Sequence, residues 1–119
     1  MTRLQGKVTK GWGSEQIWVT NEYYCSKFLN FNKGAKSSMH FHTKKVESWL
    51  IQSGVFKVTF IDMIDASTEV ETYSKGDIIT IKVMKPHQVE CLEAGTILEV
   101  STPDSVEDNY RVIKGDSQK

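Results

Sequence analysis

The three histidines of this chain, His40, His42 and His87, fall in one pattern, and no histidine is left for another purpose. Neutral imidazole is a preferred ligand of borderline divalent metals. His40 and His42 stand two apart, so on a β-strand their rings share one face. Glu47, Trp49 and Ile51 repeat that alternation shortly afterwards, which sets a carboxylate in an apolar row on the next strand. A buried carboxylate needs a cation or it takes up a proton. His87 opens a further apolar run downstream. Imidazoles and a carboxylate converging inside a small β-barrel make a metal site the reading that the residues favour.

Such a site needs strands to carry it, and the sequence supplies them. No stretch keeps a helical period. Short runs rich in β-branched and aromatic residues recur instead, broken by Gly, Asn, Asp or Ser. The expected strands are 16–20, 23–31, 38–42, 46–51, 55–61, 70–73, 77–81, 87–92, 96–100 and 109–113. Many short strands with few helices read as a sandwich or barrel. Ser53-Gly54 and Lys75-Gly76-Asp77 have the residues of tight turns. Asp65-Ala66-Ser67-Thr68 is expected as the most exposed loop. Residues 1–7 and 114–119 are expected to fray.

At 119 residues the chain is expected to form one domain with its core at about 11–113, long enough to bury a core without staples. Fifteen basic and fifteen acidic side chains cancel, so no electrostatic footprint for nucleic acid or a membrane surface is present. With no secretory leader or spanning segment in view, a cytoplasmic protein is expected, with Cys25 and Cys91 as buried, reduced thiols.

The spacing Gly-x5-His-x-His-x4-Glu-x6-Gly, met by Gly34, His40, His42, Glu47 and Gly54, resembles the first motif of the cupin superfamily. The second motif is matched loosely: Gly76 opens it and His87 holds its histidine position, but an inner glycine is missing and Cys91 stands where Asn is usual. The resemblance implies an all-β cupin, a double-stranded β-helix or jelly-roll barrel. It also implies that His40, His42, Glu47 and His87 hold one divalent transition metal per chain: Mn, Zn, Fe, Co or Ni. A cupin that keeps the pattern without metal, as sugar-nucleotide epimerases of this fold do, is the competing possibility.

A narrower likeness runs along most of the chain. Gly11-Trp12-Gly13-Ser14, Gly34-Ala35-Lys36-x-Ser38, Glu47-x-Trp49-x4-Gly54, Lys85-Pro86-His87-Gln88-Val89-Glu90, Leu98-Glu99-Val100-Ser101-Thr102 and Glu107-Asp108-Asn109-Tyr110-Arg111 resemble segments of the cupin domain of type II mannose-6-phosphate isomerases. That family commonly has Gln at the position of His40. It has an Arg in the stretch that is here Lys44-Lys45-Val46-Glu47, and a glycine between Tyr110 and Arg111. A guanylyltransferase segment, often joined to such domains, is not seen, so nucleotide-sugar synthesis is not expected and no nucleotide site is assigned.

The resemblance implies a metal-dependent aldose–ketose isomerase acting on a small molecule, with a sugar phosphate favoured. Glu90 and Lys36 are then the candidate catalytic groups. Lys36, Ser38, Trp49 and Arg111 are the candidate substrate contacts. Lys36 and Ser38 would share the face of His40 only if one strand runs unbroken through them. Lys44 and Lys45 read as a solvated turn, and Trp12 is expected to pack with Tyr110-Arg111 or to cover the mouth. The alternatives are an Fe(II)-dependent dioxygenase and a non-catalytic metal- or sugar-binding module. A homodimer is expected, because small barrels of this kind hide their sheet edges against a second copy.

Overall fold

The computed structural model describes residue 4 and residues 6–119. Eleven strands follow one another: β1 (Val8–Lys10), β2 (Gly13–Thr20), β3 (Cys25–Phe31), β4 (Met39–Phe41), β5 (Glu47–Ile51) and β6 (Val55–Ile61). They continue as β7 (Thr68–Ser74), β8 (Ile78–Ile81), β9 (His87–Glu93), β10 (Gly95–Ser101) and β11 (Tyr110–Ile113). Short 3-10 turns at Val106–Asp108 and Asp116–Gln118 are the helical elements among the described residues. No helix there is long and apolar enough to cross a membrane.

The strands form two antiparallel sheets. One has the order β1-β2-β3-β10-β5-β8 and the other β11-β4-β9-β6-β7. Period-2 sequence becomes period-2 burial: in β6, Phe56, Val58 and Phe60 point inward while Val55, Lys57 and Thr59 alternate with them. Between the sheets, Phe31 stacks on Trp12 at 4.3 Å and meets Phe56 edge-on at 5.4 Å. Each such side chain, fully buried, contributes about 1.5–3 kcal/mol. Cys25 and Cys91 are buried free thiols, as expected.

All ten expected strands are present within a few residues, and β1 is an addition. The expected tail 1–7 falls partly outside the described residues, which exclude 1–3 and 5. The C-terminal tail, expected to fray, is tied down instead. Lys36 N–H donates to the Asp116 carboxylate at 2.8 Å, Asp116 N–H to the Lys36 carbonyl at 2.8 Å, and Gly11 N–H to the Ser117 hydroxyl at 3.0 Å. Six residues have enough backbone and side-chain partners there to stay ordered.

Two turn glycines separate conformation from space. Gly54 and Gly76 have φ of +85° and +92°. A Cβ on Gly54 would lie 2.6 Å from the Glu93 carbonyl oxygen and 2.8 Å from Gly95 Cα, whereas one on Gly76 meets nothing within 4 Å. Gly76→Ala should cost about 1–2 kcal/mol, the left-handed penalty alone. Gly54→Ala should cost at least about 1 kcal/mol more, because backbone must move. Denaturant unfolding of the two variants measures the difference; equal losses would contradict the close approach of Gly54 to residues 93–95.

Candidate metal centre

His40 leaves β4 paired with His87 at the start of β9, and His87 is in turn paired with Phe60 of β6. Directly opposed residues of antiparallel strands point to the same side, so both imidazoles face inward. His42 follows β4 by one residue and turns back to the same point. The ring centroids stand 4.5 Å (His40–His87), 5.2 Å (His40–His42) and 5.9 Å (His42–His87) apart, and one nitrogen from each lies within 4.8 Å of the others.

Main-chain carbonyls fix the tautomers. Nδ1 of His42 lies 2.6 Å from the Asp108 carbonyl, that of His87 2.9 Å from Lys85, and that of His40 3.1 Å from Ser38. A carbonyl only accepts, so Nδ1 of His42 and of His87 carries the proton and their Nε2 atoms offer lone pairs, while Nδ1 of His40 also meets the Ser38 hydroxyl at 3.0 Å, which can donate or accept. Burial pushes the His40 imidazole down, with His87 and His42 adding to the effect, to about 3. Burial likewise lowers His42. These neutral rings are in the form that ligates a metal.

Glu47, first in β5, supplies the fourth group. Its Oε1 is 3.5 Å from His87 Nε2 and its Oε2 is 3.5 Å from His42 Nε2. Burial pushes its carboxyl up, but His87, Lys45 and His42 more than offset this and hold it well below the usual carboxylate range. Glu47 Oε2 and His87 Nε2 are both buried without a hydrogen-bond partner. Orphaned acceptors aimed at one point are what a cation would satisfy, so the donors present fit a divalent metal.

Around this point lies a cavity of about 340 Å³ that shares Leu29, Phe31, Trp49 and Val89 with the core. Its polar wall is a buried ion cluster. Lys27 Nζ approaches Asp104 at 3.0 Å, Glu15 at 3.4 Å and Glu99 at 3.6 Å. Lys45 Nζ approaches Asp104 at 3.3 Å and Glu47 and Glu99 at 3.4 Å each. Trp49 Nε1–H donates to Glu99 at 3.1 Å. Burial opposes the charge on both lysines, yet Glu99 and the other carboxylates raise each above the ordinary range.

Ser38 and Arg111 line this cavity, as does Trp49. Arg111 is register partner to His40, which aims it inward. Two candidates are not brought in. Strand β4 begins only at Met39, so the unbroken strand that would turn Lys36 inward does not exist. Lys36 is exposed, and its bridge partner is Glu90. Glu90 lies on the pleat of β9 opposite that of His87, outside the cavity. Lys45 corrects the expectation of a solvated turn, being 5% exposed, while Lys44 is exposed. Trp12 stacks on Phe31 and Tyr110 on Phe41 at 5.2 Å, rather than on each other.

Sequence reasoning missed Lys27, Glu99, Asp104 and Asp108 as parts of the site. The Asp108 carboxylate accepts from Thr43 N–H and hydroxyl at 2.7 Å each, Lys45 N–H at 2.9 Å and Lys44 N–H at 3.1 Å. Burial opposes its charge, but these donors hold it below the usual range. It therefore braces the turn between His42 and Glu47. Lys27, Glu99 and Trp49 are cross-strand register partners, a pairing set by the sheet order and carried by no local signal in the sequence.

An antiparallel two-sheet barrel of this order has the cupin, jelly-roll fold, and its three inward histidines form a cluster that could hold a metal ion. No family model and no curated protein sequence matches the chain. Solved structures do. Oxalate decarboxylase from Bacillus subtilis matches with a TM-score of 0.75 and 21% identity, over 92% of this chain and 30% of that one. The capsular polysaccharide assembling protein CapF from Staphylococcus aureus matches with 0.79 and 19%, over 95% and 33%. Oxalate decarboxylase from Lactobacillus farciminis, in a formate complex, matches with 0.78 and 16%, over 94% and 37%. This chain spans about a third of each. The likeness is one of fold.

Two outcomes are expected. His40 titrates near 6.5 unfolded and near 3 folded, so between those values the unfolded chain binds more protons and stability rises with pH. The melting temperature of metal-free protein should therefore fall as pH drops below about 6.5, before the depressed Glu47 carboxyl, which acts below its ordinary 4.5, contributes. The raised Glu99 carboxyl works in the opposite sense, so Glu99→Gln should steepen the fall. A flat profile from pH 7 to 5 would oppose buried neutral imidazoles. Asp108→Ala should weaken metal binding by about 10–100-fold in competition with a chelating dye.

Proposed function

We propose that this protein is a divalent-metal-dependent enzyme acting on a small, oxygen-rich anion, and that its reaction is the aldose–ketose isomerisation of a sugar phosphate. The observation that carries the reading is the convergence of three imidazoles and an ionised Glu47 at one point beside a cavity whose wall bears Lys10 and Arg111. Among the described residues neither of these cations has an ion-pair partner within 4 Å. His40, His42, His87 and Glu47 would hold the metal, and a bound divalent ion would supply Lewis-acid polarisation of neighbouring carbonyl and hydroxyl oxygens. Arg111 and Lys10 draw an anion to the cavity and orient its approach.

Isomerisation also moves a proton between adjacent carbons, which needs a carboxylate inside the cavity. Glu90 is outside it, and Glu99 takes that part. Burial and then the charge of Glu47 raise the Glu99 carboxyl, so among the cavity carboxylates it is readiest to hold a proton. Trp49 Nε1–H fixes its Oε1. Trp12, Phe31 and Trp49 wall the space against water. The similar proteins support the reading: one is a decarboxylase of a small acid, oxalate, and another a capsular polysaccharide assembling protein.

The same aromatic wall favours the second reading, an Fe(II) dioxygenase, since the donor set suits iron as well. The homodimer belongs to this proposal too. It is supported by Trp18, Leu50, Ile78 and Val100, exposed large apolar residues on the outer face of the six-stranded sheet.

Elemental mass spectrometry of untagged protein decides the metal. About one Mn, Zn, Co or Ni per chain with turnover of a phosphosugar supports the isomerase; iron with oxygen uptake supports the dioxygenase. No metal under any loading would leave a binding module. In the isomerase case, Arg111→Ala should raise KM by about tenfold and flatten its salt dependence, with metal content unchanged.

A further inference from the structure

Lys27 and Lys45 face each other across two carboxylates that both bridge them. Glu99 Oε2 lies 3.6 Å from Lys27 Nζ and 3.4 Å from Lys45 Nζ. The Asp104 carboxylate gives Oδ2 to Lys27 at 3.0 Å and Oδ1 to Lys45 at 3.3 Å. The two bridges differ in every other respect. Glu99 sits in the middle of β10, buried, with Trp49 donating to it. Asp104 has a 37% exposed side chain and stands in an irregular segment after β10.

That segment is fastened at both ends and free between them. At one end Thr102 N–H donates to the Val46 carbonyl at 3.1 Å and the Thr102 hydroxyl accepts from Val46 N–H at 3.0 Å. At the other, Asp108 braces the 43–45 turn. Residues 103–107 are all exposed, Val106 to 95%. Among the described residues, the hydrogen bonds and ion pairs that join 103–107 to the barrel are those of the Asp104 carboxylate. Asp104, Ser105 and Val106 nevertheless line the cavity.

Electrostatically Asp104 is the surplus member. Without it Lys27 keeps Glu15 and Glu99, and Lys45 keeps Glu47 and Glu99. We propose that Lys27 and Lys45 form the oxyanion seat of the cavity and that Asp104 is an internal occupant, displaced when a two-oxygen anionic group of the substrate arrives. The occupant is a carboxylate or phosphate of a small molecule. Its place is one side chain away from the metal donors, since Glu47 Oε2 lies 3.4 Å from Lys45 Nζ and 3.5 Å from His42 Nε2. Displacement releases residues 103–107 from the barrel, so the same exchange seats the anion and opens the mouth. The inference deepens the metal-enzyme reading and rests on it only for what the rest of the substrate does.

The test uses full-length protein, with inorganic phosphate and malonate as probes. Titration calorimetry should show Asp104→Asn binding at least one probe about tenfold more tightly than wild type, because the internal competitor is gone. The probe that gains more identifies the oxyanion. Glu15→Gln removes an equal charge from Lys27 but from a fixed strand position, and should gain markedly less. In wild type, either probe should speed hydrogen exchange of amides 104–107, a readout that needs no variant to fold. Equal affinities in wild type and Asp104→Asn, equal gains in both variants, or added protection of 104–107 would each overturn the proposal. Metal content measured on the same samples keeps the two ideas apart: a gain without metal leaves the seat standing and removes the enzyme reading, whereas metal without a gain does the reverse.

Discussion

Glu47 is 2% exposed, and a carboxylate that far from water must be met by positive charge. Everything at this end of the barrel follows from that requirement. Lys45 is turned inward to meet Glu47, and an inward lysine requires further carboxylates, which Glu99 and Asp104 supply. Glu99 in turn holds Lys27 and the indole of Trp49. Burying ions costs several kcal/mol each before their attractions are counted, and apolar side chains of similar volume would fill the space at lower cost. This many charges kept beside an otherwise apolar core mark the place as a candidate functional site.

The strands were legible because burial alternates with the sequence period wherever a strand has one face on the core. Glu47, Trp49 and Ile51 show this directly, and all three are buried. The histidine cluster was legible because its residue type has few other uses at such spacing. The ion cluster was not. Lys27, Glu99 and Asp104 look like ordinary surface charges along the chain, and the contacts that gather them span long separations: 73 residues from the Ser26 hydroxyl to the Glu99 carbonyl and 77 from Lys27 to Asp104. Local pattern carries no record of a pairing that only the sheet order creates.

Lys36 and Glu90 show the opposite error. Lys36 was drawn in by applying the alternation rule across residues 36–42, a stretch that is not all strand. Glu90 was drawn in by its nearness in sequence to His87, although residues three apart along a strand point to opposite faces. The chain bends before Met39, where Ser37 N–H bonds the Val89 carbonyl and Lys36 is held by Asp116. A period of two predicts direction only while the backbone stays extended. The C-terminal residues, which look like a tail by composition, are the element that makes this bend.

Asp108 joins two distant events in the life of the chain. Its carbonyl fixes the His42 ring 66 residues upstream, and its carboxylate shapes the turn that separates His42 from Glu47. A polypeptide made from its N-terminus has synthesised His40, His42, Glu47 and His87 well before residue 108 exists. Until that residue docks, the imidazole of His42 has no orienting partner and the turn no brace. The segment just before the last strand therefore completes a pocket whose other residues were made long before it, and the inward geometry of His42 exists only once that late segment has docked.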